Sequence, residues 1–139
     1  AGAGPVPEFE RIAERAGVAA RVRFLGRRDD VLPLLGAADV FVHPTAHDAC
    51  SLATIEAMAT ATPVITTRRN GAADGMTDGC EGFVLKEPDA AALATALLAL
   101  RDPVRRAAMG AAARLLAERH DFVRSVDRLC ALHDELAGG

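Results

Sequence analysis

The chain has 139 residues, of which 50% are apolar, and a formal net charge of −3. This length and apolar content suit one globular domain with a core, while the dispersed charges and the absence of Trp and Tyr disfavour a nucleic-acid partner. No apolar run approaches the roughly 20 residues that a membrane-spanning helix needs, so we expect a cytoplasmic protein.

Helical and extended patterns alternate along the chain. Helices are predicted at 8–16, 30–35, 51–60, 71–76, 89–100, 103–120 and 122–136. Strands are predicted at 22–25, 39–43, 63–67 and 82–85. In the first helix Phe9, Ile12 and Ala13 share one apolar face, and Pro103 suits the first turn of a later helix. Strands separated by helices indicate an α/β fold with a doubly wound, parallel, Rossmann-like sheet, followed by a helical C-terminal third.

Asp48 and Glu56 stand eight residues apart where a strand gives way to a helix. The strand 39–43 ends just before this turn, and the helix begins at Cys50 or Ser51. The first N–H groups of a helix have no partner within it and bind anions, so a phosphate suits this turn. Glu56, about one helical turn further on, can accept hydrogen bonds from a ribose diol. The alternative is that Asp48 is only a loop or capping residue and Glu56 only a solvated helix residue.

The stretch from Asp48 to Glu56 resembles the Glu-seven-Glu signature of retaining GT-B glycosyltransferases, which use nucleotide sugars. Other segments agree with this resemblance in their order: Phe24-Leu25-Gly26-Arg27, Thr66-Thr67, Asn70-Gly71, Asp78-Gly79 and Gly82-Phe83-Val84. The resemblance extends over nearly the whole chain. It implies the C-terminal, nucleotide-sugar-binding domain of that family.

The resemblance also implies a role for each site residue. Asp48 takes the catalytic position beside the donor sugar. The nucleotide-sugar-binding positions are Gly26, Arg27, Cys50, Ser51, Leu52 and Glu56. Of these, Gly26 and Arg27 are expected near the nucleobase, Glu56 on the ribose, and the backbone N–H groups at the helix start on the diphosphate. No metal or other cofactor is expected, because hydrogen bonds can stabilise the departing diphosphate.

Three positions depart from the pattern of that family. Asp48 stands where Glu is usual, so its carboxylate reaches one methylene less far. Ser51 replaces a frequent Gly that lets the backbone approach a phosphate closely. Ala61 stands where Gly is usual after the signature helix, and a left-handed conformation there would cost Ala roughly 1 kcal/mol. These departures indicate a variant subfamily with the backbone donors retained.

Two histidines near the signature are further candidates. His43 ends a predicted strand, where it is either a packed side chain or directed at the ligand crevice. His47 precedes Asp48, so it pairs with that carboxylate, contacts the sugar, or lies exposed in the loop. The sequence leaves these alternatives open.

Cysteines and arginines suggest no further site. Cys50, Cys80 and Cys130 lack paired spacing, so we predict reduced thiols, with neither a disulfide framework nor a metal site. A series of arginines follows the predicted helix 89–100: Arg101, Arg105, Arg106, Arg114 and Arg119. Such a series is usually a solvated face, with contact to acidic lipid as the alternative.

The resemblance further implies that residues 1–139 are a partial domain, with the first strands and the acceptor-binding N-terminal domain absent. The parent enzyme is then expected to move a hexose from a nucleotide diphosphate sugar to a glycan or glycolipid acceptor, and this part alone to transfer no sugar. The alternative is a natural short binding protein.

The sequence of residues 26–31 and the pair His43-Pro44 resemble the corresponding sequences of lipopolysaccharide-core glucosyltransferases. This similarity favours UDP-glucose as donor and a role in lipopolysaccharide or polysaccharide biosynthesis. The expected location is cytoplasmic, with peripheral contact at the inner face of a membrane as the alternative. Two other functions stay open: a nucleotide-sugar epimerase of the same GT-B architecture, and a non-catalytic nucleotide-sugar-binding module.

Overall fold

A computed structural model of the chain describes residues 6–120 and 122–137. It divides into two compact units, Ala1–Pro33 and Leu34–Gly139. Within the described residues the α-helices are α1 (Val6–Arg15), α2 (Val31–Gly36), α3 (Leu52–Ala59), α4 (Ala90–Ala99), α5 (Pro103–Ala117) and α6 (Phe122–Ala137). The strands are β1 (Phe41–His43), β2 (Val64–Thr67) and β3 (Gly82–Leu85). Short 3₁₀ helices cover Ala19–Arg21, Gly71–Ala73 and Glu118–His120.

The first unit contains α1 and the segment after it, and here one predicted strand is wrong. Val22 has an extended backbone, but residues 22–25 pair with no strand among the described residues. Their apolar side chains are exposed, with Phe24 at 40% and Leu25 at 50%. An apolar, β-branched sequence favours an extended backbone, but a strand exists only where a neighbour accepts and donates its hydrogen bonds.

The second unit is built on a parallel sheet in the order β1-β2-β3. Val42 pairs with Ile65, and Ile65 pairs with Phe83. All four residues of β2 are buried, as expected for a central parallel strand covered on both faces. The predicted α/β class with a parallel sheet is therefore confirmed, as are the strands at 39–43, 63–67 and 82–85 to within two residues at each end.

The core of the second unit lies between β2 and the C-terminal helices. Ile65 packs with three buried residues: Ala96 of α4, Leu100 at the C-terminal cap of α4, and Met109 of α5. Four partly buried side chains pack against this cluster: Val40, Phe83, Leu85 and Leu93. The predicted helices of the C-terminal third are confirmed, and Asp89 and Asp102 cap α4 and α5 by accepting from backbone N–H groups. The predicted helix 71–76 is shorter, because only Gly71–Ala73 forms a turn of 3₁₀ helix.

Helix α3 ends in a left-handed residue that packs under α5. Ala61 has φ of 58°, the conformation expected there from the sequence. Gly110 of α5 approaches so closely that a Cβ at that position would lie 2.1 Å from the Ala61 carbonyl oxygen. Arg114 Nη1 donates to the Ala59 carbonyl oxygen at 3.0 Å. The C-terminal end of α3 is thus fixed against α5.

Replacing Ala61 with Gly is expected to stabilise the second unit slightly. Release of the left-handed Ala gains about 1 kcal/mol, and the greater freedom of Gly in the unfolded chain costs about 0.5 kcal/mol. The net gain of about 0.5 kcal/mol is measurable as slower native-state hydrogen exchange at the core amides of β2. An Ala61→Val control should speed that exchange, because a β-branched side chain tolerates positive φ poorly. Equal exchange in all three proteins would contradict the strain assigned to Ala61.

Candidate functional site

The loop between β1 and α3 carries most of the predicted site. Ser51 caps α3, since its Oγ accepts from the Thr54 N–H at 3.3 Å. Asp48 accepts from the Cys50 N–H through Oδ1 at 3.2 Å, which turns the loop into the helix. The structure therefore places Asp48, Cys50, Ser51 and the first residue of α3 on one continuous turn, as the sequence predicts.

The Asp48 carboxylate has a second partner, His43. The His43 Nε2 atom lies 3.1 Å from Asp48 Oδ2. Both side chains are partly exposed, at 35% for His43 and 31% for Asp48. His47 is exposed, and its N–H donates to Thr45 Oγ1. Asp48 thus pairs with the histidine at the strand end, while no hydrogen bond or ion pair among the described residues joins His47 to either of them.

The backbone donors at the start of α3 are only partly available. The Cys50 N–H is used by Asp48, and the Ser51 N–H donates to Asn70 Oδ1 at 3.2 Å. Among the described residues, the N–H groups of Leu52 and Ala53 have no acceptor. The sequence predicts Cys50, Ser51 and Leu52 as phosphate donors. Of this set, the Leu52 N–H can donate at once, as can the N–H of Ala53, which the sequence did not predict, whereas the Cys50 and Ser51 N–H groups must first exchange their present partners.

Glu56 lies one turn further along α3. It is exposed, and its carboxylate makes no hydrogen bond or ion pair with any described residue. It stands four residues after Leu52, about 6 Å along the helix axis and on the same side of the helix. Its carboxylate is thus available to a ligand that also reaches the helix N-terminus.

A segment after β2 holds the loop in place, and sequence reasoning missed its importance. The Asp48 N–H donates to the Arg69 carbonyl oxygen at 3.0 Å, and the Gly71 N–H donates to the Asp48 carbonyl oxygen at 2.9 Å. At Gly71 a Cβ would lie 1.9 Å from the Ala49 carbonyl oxygen, so only Gly allows this approach. Asn70, which lies between Arg69 and Gly71 in the sequence, is buried, with 1% of its surface exposed. An Asn three residues after a buried strand and directly before a Gly was the available signal.

A sequence model of the family described as "Glycosyl transferases group 1" matches residues 1–102. The chain belongs to this family. It is 34% identical over 131 residues to the D-inositol 3-phosphate glycosyltransferase of Corynebacterium kroppenstedtii, covering 92% of this chain and 29% of the relative. It is 38% identical over 81 residues to the lipopolysaccharide glucosyltransferase WaaG of Escherichia coli, covering 58% of this chain and 22% of the relative.

A solved structure with the same fold is that of Anabaena HepE in complex with UDP and glucose. It matches with a TM-score of 0.80 and 25% sequence identity, over 92% of this chain and 35% of that chain. The chain therefore spans about a third or less of the length of these relatives. The family resemblance and the fold of the GT-B glycosyltransferases are confirmed, while the roles of individual residues stay predictions.

The remaining family positions lie in the first unit. Gly26 has φ of 64°, a conformation that favours Gly. Arg27 is largely exposed, with Nε 3.8 Å from Asp29 Oδ1. The adjacent Arg28 donates two hydrogen bonds to Asp30 and lowers the pKa of that carboxyl. Contact of Gly26 and Arg27 with a nucleobase stays a prediction of the resemblance.

The arginines after α4 are engaged within the fold. Arg106 contacts Asp39 at 3.1 Å and donates to the Leu100 carbonyl oxygen. Arg105 lies over the Phe83 ring, 5.1 Å from its centroid. Together with the bond from Arg114 to α3, these contacts indicate a structural use for much of the basic series. Among residues 6–120 and 122–137, no helix is long and apolar enough to cross a membrane.

The three cysteines are free and exposed. The negative charge of Glu81 raises the pKa of the neighbouring Cys80 thiol. In the part of the chain that the structure describes, no three His, Cys, Asp or Glu side chains come together as a metal site requires.

Proposed function

We propose that this chain binds the nucleotide diphosphate sugar in a glycosyl transfer enzyme. The observation that carries the proposal is the start of α3, where two N–H groups without an acceptor among the described residues lie between the carboxylates of Asp48 and Glu56. The Leu52 and Ala53 N–H groups suit the diphosphate, because a helix N-terminus favours anions. Glu56 suits the ribose hydroxyls one turn away, and Asp48 suits a hydroxyl of the sugar.

The same groups can assist the reaction. As the bond between the anomeric carbon and the phosphate oxygen breaks, negative charge grows on the departing diphosphate. Hydrogen bonds from the helix N-terminus stabilise that charge more in the transition state than in the ground state. The acceptor oxygen bonds to the anomeric carbon, and its proton passes to the departing diphosphate. We propose retention of the anomeric configuration and no metal requirement, as the resemblance implies.

UDP-glucose is the proposed donor. It is supported by similarity to a relative described as a lipopolysaccharide glucosyltransferase and to a structure that holds UDP and glucose. Because the chain spans only a part of its relatives, we further propose that the acceptor, a glycan or glycolipid, is bound by another domain of the complete protein. Calorimetric titration of the complete protein with UDP, GDP and ADP tests the choice of nucleotide. Absence of binding by all three would reject the proposed function.

Replacing Glu56 with Ala should weaken UDP binding about tenfold, the equivalent of about 1.5 kcal/mol for a hydrogen bond to a charged group. Hydrogen bonds to charged groups contribute about 1.5–3 kcal/mol, and we expect the lower value here because Glu56 is exposed. Titration calorimetry on the complete protein measures it. Glu135→Ala removes an exposed carboxylate of α6 and is the matched control. Equal affinity of the Glu56 variant and the control would reject the ribose role.

A further inference from the structure

Asn70 is a buried amide whose hydrogen-bonding capacity is fully used. Its Oδ1 atom accepts from the Ser51 N–H at 3.2 Å and the Ala72 N–H at 3.0 Å. Its Nδ2 atom donates to Thr54 Oγ1 and Thr66 Oγ1, both at 3.0 Å. A carboxamide has two acceptor lone pairs and two N–H donors, so no capacity is left over. With 1% exposure, the side chain has no access to a ligand and acts only through its partners.

Those partners come from three parts of the second unit. Thr66 belongs to β2, Ala72 to the 3₁₀ helix, and Ser51 and Thr54 to the cap and first turn of α3. Two of the four hydrogen bonds of Asn70 are therefore made to Ser51 and Thr54. These residues flank Leu52 and Ala53, whose N–H groups have no acceptor among the described residues. A backbone peptide group is planar, so fixing the Ser51 N–H and the Thr54 side chain restricts the directions of the N–H groups between them.

We propose that Asn70 is a positioning residue for the donor diphosphate. It acts by holding the first turn of α3 on the end of β2, so that the Leu52 and Ala53 N–H groups keep the orientation that a phosphate needs. This inference rests on the proposed function. It goes further by assigning the shape of the phosphate site to a residue that touches no ligand.

The test compares a ligand that carries phosphate with one that does not. In the complete protein, Asn70→Ala should raise the Kd for UDP about tenfold, because the phosphate donors lose their alignment. The Kd for uridine should change by about twofold or less, since the nucleoside does not reach those donors. General destabilisation lowers the fraction of protein that binds and so moves both ligands together. The ratio of the two Kd values therefore separates positioning from stability.

Two further variants support the comparison. Thr62 is also buried, at 2% exposure, and its hydroxyl donates to the Leu35 carbonyl oxygen at 2.7 Å, away from the loop. Thr62→Val should lower stability and leave the ratio of Kd values unchanged. Thr54→Val removes a single bond of Asn70 and preserves side-chain shape, so it serves if Asn70→Ala does not fold. It should shift the ratio in the same direction by about threefold.

Each outcome bears on a distinct claim. If wild-type protein binds UDP no more tightly than uridine, the proposed function fails, and the inference fails with it. If wild type favours UDP but Asn70→Ala, or Thr54→Val in its place, keeps the wild-type ratio, only the role of Asn70 is overturned. If the ratio of Kd values shifts in Thr62→Val as much as in the Asn70 variant, the positioning role of Asn70 is also overturned.

Discussion

An Asp48→Asn variant of the complete protein is expected to turn over about 100-fold more slowly, with its affinity for UDP changed by about twofold or less. The Asn oxygen can still accept from the Cys50 N–H, so the loop keeps its turn. The substitution removes the negative charge at the proposed position of the sugar and the carboxylate that lies 3.1 Å from His43 Nε2. Steady-state transfer from UDP-glucose gives kcat, and calorimetry gives the affinity for UDP.

Asp127→Asn is the matched control, because it removes an exposed carboxylate of α6 and should alter neither quantity. An unchanged kcat in the Asp48 variant would reject its sugar-side role. A parallel fall in UDP affinity and kcat would show instead that Asp48 mainly shapes the loop. The variant also tests whether Asp serves where the family usually has Glu.

A Gly110→Ala variant is expected to be destabilised by about 2 kcal/mol, although helix propensity alone predicts a gain. Within a helix, Ala is favoured over Gly by about 1 kcal/mol. At this position, however, the added Cβ would lie 2.1 Å from the Ala61 carbonyl oxygen, which is backbone and cannot turn aside. The clash is relieved only if α5 moves away from the end of α3, which we expect to cost about 3 kcal/mol, the upper end of the range for overpacking. This cost exceeds the gain from helix propensity.

Native-state hydrogen exchange at the core amides of β2 measures this loss within the complete protein. The control is Ala111→Gly, an exposed position of the same helix, which should lose only about 1 kcal/mol by propensity. A Gly110→Ala protein that exchanges more slowly than wild type would show that α5 does not rest on α3 as the structure places it.

The local features of the fold could be read from the sequence because they depend on neighbouring residues. The start of α3 next to Ser51 agrees with the change from strand pattern to helix pattern, and β3 at Gly82–Leu85 matches its predicted range. The left-handed Ala61 was indicated by the resemblance to the family, which usually has Gly there. The strand predicted at 22–25 failed for the opposite reason. Its apolar side chains favour extension, whereas strand formation depends on a partner that local pattern does not reveal.

The missed parts of the site depend on contacts between distant residues. Asn70 bonds to the Ser51 N–H, 19 residues away, and the pair of His43 and Asp48 joins a strand end to the following loop. Neither contact produces a periodic pattern in the sequence from which it could be predicted. The occupied N–H of Ser51 could not be anticipated either, because its acceptor is Asn70, whereas the Asp48 side chain bonds the Cys50 N–H two residues on, which is a local turn typical of Asp.

Helix α3 is secured at both of its ends, by Asn70 at the start and by α5 at the finish. A short helix of eight residues is marginal by itself in water, so these attachments decide whether its first turn is formed before a ligand arrives. With the donors already fixed, the protein orders few groups on binding, and most of the entropy lost in association belongs to the ligand. Under the proposed function, the flexible diphosphate would bind to donors that are already in place, so binding would select among conformers of the ligand and require little folding of the protein.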